Sequence, residues 1–99
     1  MCDQPHPVLV TTILTACRDS DLRTATTAMH ELWNTGYSAQ DIIATVFRLC
    51  KVVEMPEYIK MEFMKEIGFT HMRISEGLSS LCQLTGLLGK LCRVAQNAE

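Results

Sequence analysis

Glu62 and Glu66 stand four residues apart, a spacing that sets two carboxylates on one helix face where an acid and a base could act as a pair. Lys60 and Lys65 interleave with them, and mixed signs at this spacing read better as a solvated charged face. Gly86, Gly89 and Lys90 suggest a phosphate-cradling loop. That loop needs a glycine five places before its Gly-Lys pair and a hydroxyl residue after it, and those positions hold Leu84 and Leu91. The two glycines are read instead as points where another helix crosses closely. His71 falls between Ile67 and Ile74 on an apolar face, which suits a hydrogen-bonded core or interface imidazole better than a ligand or base. His30, beside Glu31, belongs to an outer helix face.

The five cysteines, Cys2, Cys17, Cys50, Cys82 and Cys92, are odd in number and contain no C-x-x-C pair. Their spacing matches no zinc framework, and His6, His30 and His71 do not stand at partner positions. None forms a recognisable motif with a histidine and an acid, so no thiol nucleophile is expected. Free thiols in a reducing compartment, cytosol or nucleus, are the reading.

Composition narrows the classes further. Ninety-nine residues, 47% apolar and 20% charged, make one domain able to withdraw about 65% of its extended surface from water. Disorder is excluded by that apolar share. No apolar run is long enough to span a bilayer, because Arg18, Arg48 and Lys51 interrupt the greasiest stretches. The first ten residues show neither the basic nor the apolar segment of a secretory signal. The net charge of −2 gives no basic footprint for nucleic acid.

These residues must be positioned by helices, since the apolar period is 3.6 almost throughout and strand alternation is nowhere sustained. The fold class is all-α: a single compact bundle of about five helices over residues 8–99, after a lead-in over residues 1–7. Pro5-His6-Pro7 leads into helix one, which buries Val10, Ile13, Leu14 and Cys17. Asp19-Ser20-Asp21 breaks the chain and caps helix two, whose stripe is Leu22, Ala25, Met29, Leu32 and Trp33. Gly36 ends it in the left-handed conformation. Ser38 opens helix three with Asp41 in the capping-box position, and Ile42, Val46, Leu49, Cys50 and Val53 form its face, widened by Ile43 and Phe47. Pro56 takes the first position of helix four, whose face is Ile59, Phe63, Ile67, His71, Ile74 and Leu78. After a break at Gly77-Leu78-Ser79-Ser80 with a serine cap, helix five aligns Leu81, Leu84, Leu88, Leu91 and Ala95, with Lys90 and Arg93 near its negative end.

Apolar residues remain that these stripes do not use. Met29 and Met64 fit core positions, whereas Met61 and Met72 fall off the stripe of helix four and Leu87 off that of helix five. Adaptable side chains of this kind are common in cores and also at protein-binding surfaces. The residues expected at an interface are Trp33, Tyr37, Phe47, Met61, Met72 and Leu87. No residue is assigned to catalysis, cofactor or metal.

Several segments also resemble one family. Gly36-Tyr37-Ser38 followed by Asp41-Ile42-Ile43, then Phe47-Arg48 with Lys51, is similar to the C-terminal domain of the small subunits of replication factor C, the eukaryotic clamp loader. Lys60-Met61-Glu62-Phe63, Lys65-Glu66-Ile67-Gly68, Thr70-His71-Met72-Arg73-Ile74 and Glu76-Gly77 extend the resemblance through helix four. Gln83-Leu84 and Gly86-Leu87-Leu88 carry it into the last helix, and Pro5-His6-Pro7 resembles the lead-in from an ATPase module. The order and register hold without gaps across nearly the whole chain.

The resemblance implies a nuclear protein of DNA replication and repair, assembled with other replication factor C subunits through a collar of five C-terminal helical domains. It implies that AAA+ modules bind ATP and magnesium, and that the sliding clamp and primer–template DNA are reached only through the complex. No Walker A loop, Walker B acid cluster or arginine-finger segment stands in this sequence, so it is expected to be no enzyme and to bind no cofactor itself. An excised domain and a truncated product both fit. The alternative function is a free-standing helical adaptor, or a truncated dominant-negative regulator competing for collar positions. A DNA-binding helix pair formed by helices two and three is a third reading, with Arg48 and Lys51 offset by Asp41 and Glu54.

Overall fold

A computed structural model of the chain describes residues 6–77 and 81–97. They form five helices: α1 (Pro7–Arg18), α2 (Leu22–Thr35), α3 (Ala39–Cys50), α4 (Glu57–Ser75) and α5 (Leu81–Asn97). No strand occurs among the described residues. The expected all-α bundle is what the chain forms.

Local chemistry sets most of the boundaries. Pro7 occupies the first turn of α1, and the His6 ring accepts from the Val8 amide at 3.2 Å. Asp21 caps α2 by accepting from the Thr24 amide at 3.2 Å, and Ser38 caps α3 by accepting from the Asp41 amide at 3.1 Å. Gly36 closes α2 at φ +104°, a conformation that costs glycine little. Pro56 sits one place earlier than expected, as the residue before α4, leaving Glu57 as its first helical residue. The serine cap expected before α5 lies outside the described residues. Helix α5 runs to Asn97, so Arg93 falls short of its last turn.

Packing centres on α1 and α5. Helix α1 packs on α2, α3 and α5, and α5 packs also on α2 and α4. Their facing residues Ile13, Leu14, Leu84, Leu88 and Leu91 are wholly buried. Helix α4 packs on α3 and α5 and makes no comparable contact with α1 or α2. Among the described residues it therefore lies on the outside of the bundle, with Tyr58, Met61, Phe69 and Met72 exposed. Helices α2 and α3 do not pack together as a recognition pair must, which removes the geometric basis for a helix-turn-helix.

Two long-range hydrogen bonds fasten the loops. Arg18 Nη1 donates to the Glu54 carbonyl at 2.7 Å, tying the end of α1 to the α3–α4 loop. Ser20, held at φ +61°, donates through Oγ to the Cys92 carbonyl at 3.3 Å, seating the α1–α2 turn on α5. No buried side-chain nitrogen or oxygen lacks a partner among the described residues.

Three expectations about which residues face inward are corrected. Thr70, rather than His71, joins Ile59, Phe63, Ile67 and Ile74 in the buried stripe of α4, and His71 is half-buried at its margin. Leu22 is exposed at the start of α2. Gly86 and Gly89 are not close-crossing points: a methyl group built on either meets no atom within 4 Å.

Candidate interaction surface

The side chains with possible chemistry do not converge. No group of three His, Cys, Asp or Glu side chains able to hold a metal occurs among the described residues. Glu62 pairs with Lys65 at 3.1 Å on the exposed side of α4, as its spacing suggested. Cys17, Cys50 and Cys92 are buried and unbridged, while Cys82 is exposed. Burial pushes the Cys17 thiol far above its ordinary range, with the neighbouring Cys92 adding to the effect, and pushes Cys50 up to about 11. Burial likewise raises Cys92. At neutral pH these three hold their protons and are poor nucleophiles.

What α4 carries instead is a second apolar face. Ile59, Phe63, Ile67, Thr70 and Ile74 point into the bundle. At 100° per residue, Met61, Lys65, Gly68 and Met72 lie on the opposite side, with Tyr58 and Phe69 at its flank. Met61 is 65% exposed, Met72 59%, Tyr58 59% and Phe69 50%. Gly68 leaves a shallow notch of about 350 Å³ beside Met72 and His71. Exposed apolar side chains on an outer helix, here either side of Lys65 and Gly68, mark a surface for protein contact.

The strip opens at its N-terminal end into a groove of about 540 Å³ between α3 and α4. Phe47, Met61 and Met64 are its apolar lining. Lys51, Lys60 and Lys65 stand round it, with Glu57 at one edge. Lys51 Nζ lies 5.0 Å from the centre of the Phe47 ring, a cation–π arrangement. Lys60 Nζ donates to the Lys51 carbonyl at 3.0 Å and so crosses from α4 to the end of α3.

Residues 5–90 match the replication factor C C-terminal domain family. The chain belongs to that family. It is 48% identical over 99 residues to replication factor C subunit 2 of Arabidopsis thaliana, covering 100% of this chain and 30% of the relative. It is 47% identical over 96 residues to a probable replication factor C subunit 2 of Dictyostelium discoideum, covering 96% and 28%. With replication factor C subunit 4 of Schizosaccharomyces pombe the identity is 41% over 98 residues, covering 98% and 28%. The chain thus spans less than a third of the length of these relatives.

In this replication factor C domain the six residues expected at an interface fall into three places. Phe47 and Met61 share the α3–α4 groove, and Met72 lies about three turns along the same face of α4. Trp33 and Tyr37 are half-buried against the core at the end of α2, which does not pack on α4. Leu87 is corrected: it is 1% exposed, because α5 is surrounded by α1, α2 and α4 and buries a wider arc than one stripe. Tyr58 and Phe69 are absent from the residues expected at an interface, and Lys51 and Lys60 are read from the sequence as a candidate DNA contact and as part of a solvated charged face, respectively. The signal for the two aromatics was the one used for Met61 and Met72, an apolar side chain off the core stripe of α4.

Proposed function

We propose that this domain is the oligomerisation (collar) module of a clamp-loader small subunit, packing against neighbouring replication factor C subunits through the outward face of α4. The observation that carries this reading is the pairing of two apolar faces on a helix that, among the described residues, packs mainly on α3 and α5. One face builds the domain, and the other offers Met61 and Met72, adaptable side chains suited to a protein interface. The role supports clamp loading in nuclear DNA replication and repair. ATP binding, clamp contact and primer–template contact belong to the assembled complex, and the domain itself performs no catalysis.

The test is co-purification with the other replication factor C small subunits, followed by light scattering. Retention of at least one subunit is expected, with loss of retention in Met61→Asp and Met72→Asp. Monomeric behaviour with no subunit retained would overturn the reading, as would ATP hydrolysis by the purified chain.

A further inference from the structure

The groove at the end of the α4 strip differs from the rest of that face in its charge. Its apolar lining is deformable, since two of the three apolar residues are unbranched methionines. Its rim carries three ammonium groups against one carboxylate, Glu57, on a chain whose net charge is −2. Lys65 is engaged by Glu62, but neither Lys51 nor Lys60 has a carboxylate within 4.0 Å among the described residues. Both are nonetheless held in place, Lys51 over the Phe47 ring and Lys60 by its bond to the Lys51 carbonyl. Two positioned cations beside a greasy trough are a complementary surface for an apolar anchor flanked by carboxylates.

We infer that the groove between α3 and α4 receives an amphipathic helix of a neighbouring replication factor C subunit, with apolar anchors on Phe47, Met61 and Met64 and Asp or Glu side chains against Lys51 and Lys60. A helix fits because ridges one turn apart on its surface drop into the trough between two packed helices. The carboxylates set register and speed association, and the apolar anchors supply most of the affinity. Nucleic acid is disfavoured by Glu57 and by the Glu62 that neutralises Lys65, and by the Lys51 ammonium lying over the ring of Phe47, the aromatic that lines the groove.

The inference rests on the collar reading, and the experiment separates the two. The chain is titrated against the small subunit it retains, at low and high salt, as wild type, K51E/K60E, K51R/K60R and M72D. Circular dichroism melting verifies that each variant is folded. Affinity is expected to fall at least tenfold in K51E/K60E, to stay within about twofold in K51R/K60R, and to weaken with salt in the wild type. Loss of binding in M72D with none in K51E/K60E would leave the collar reading standing and overturn the acidic helix. Failure of the wild type to retain any subunit would overturn both. A fluorescein-labelled single-stranded oligothymidine that binds the wild type and not K51E/K60E would assign the lysines to nucleic acid, and would likewise overturn the inference.

Discussion

Arg18, the last residue of α1, donates a 2.7 Å hydrogen bond to the carbonyl of Glu54, 36 residues further along the chain. This bond and the adjacent Arg18–Asp19 ion pair at 3.3 Å are of unequal worth. The ion pair is between sequence neighbours in solvent and contributes little. The carbonyl bond joins α1 to the loop that turns α3 into α4, and so helps set the groove at the start of α4. Arg18→Ala is expected to lower stability by about 1 kcal/mol, read as a shifted urea midpoint, while Asp19→Ala leaves it unchanged. Equal effects of the two would show that the ion pair carries the stabilisation.

The glycines divide by backbone angle. Gly86 and Gly89 have helical backbones and open space where a methyl would go, so each Gly→Ala change should raise stability by about 0.5–1 kcal/mol. Gly36 also has space, but its φ of +104° is strained for any residue with a Cβ. Gly36→Ala should lower stability by about 1 kcal/mol or more. Thermal melts of the three variants check this, and destabilisation by Gly86→Ala would show that its helix face is covered in the domain.

Leu87 and Met61 were grouped as interface residues and should behave oppositely in the isolated domain. Leu87→Ala empties part of the core and should cost about 2–5 kcal/mol. Met61→Ala removes an exposed side chain and should stay within about 0.5 kcal/mol. Urea unfolding of both variants distinguishes core from surface directly.

The thiols tie stability to alkaline pH. Cys50 is raised in the folded state to about 11, chiefly by burial, against an ordinary thiol value of about 8.5. Its stabilising contribution is therefore complete below that ordinary value and is lost as pH climbs toward 11. Cys50→Ala should flatten the alkaline fall of the urea midpoint. In the native wild type at pH 8, a thiol reagent should modify Cys82 rapidly, with Cys17, Cys50 and Cys92 reacting only at the rate of opening.

Asp21 acts at the other end of the pH scale. Thr24 donates to its carboxylate through the hydroxyl at 2.7 Å and through the backbone amide at 3.2 Å, which holds Asp21 below the usual carboxylate range. Its contribution is present above the ordinary value near 4 and disappears as pH falls through the lower folded value. Asp21→Asn keeps a capping oxygen and should remove that part of the acid loss, measured as a smaller change in midpoint between pH 5 and pH 2. An unchanged acid limb would show that Asp21 is not a contributor.

The helices and their ends were legible in the chain because they depend on residues only a few positions apart. Ser38 and the Asp41 amide, Asp21 and the Thr24 amide, and the left-handed Gly36 all act within one turn. The inward stripes of α1 and α3 follow from the same short-range periodicity. What periodicity does not contain is how many neighbours a helix has. Helix α5 packs on all four other helices, so Leu87 beside its stripe is buried, while α4 packs mainly on two, so Met61, Met72, Tyr58 and Phe69 remain outside. Tertiary packing also chose Thr70 over the adjacent His71 for the core. The groove is a property of two helices together: Phe47 and Lys51 come from α3 and its end, Lys60, Met61 and Met64 from α4. Sequence determined five amphipathic helices and their caps, because those are local. Only the fold decided which apolar surplus is core and which is open to a partner, because burial depends on elements distant in the chain.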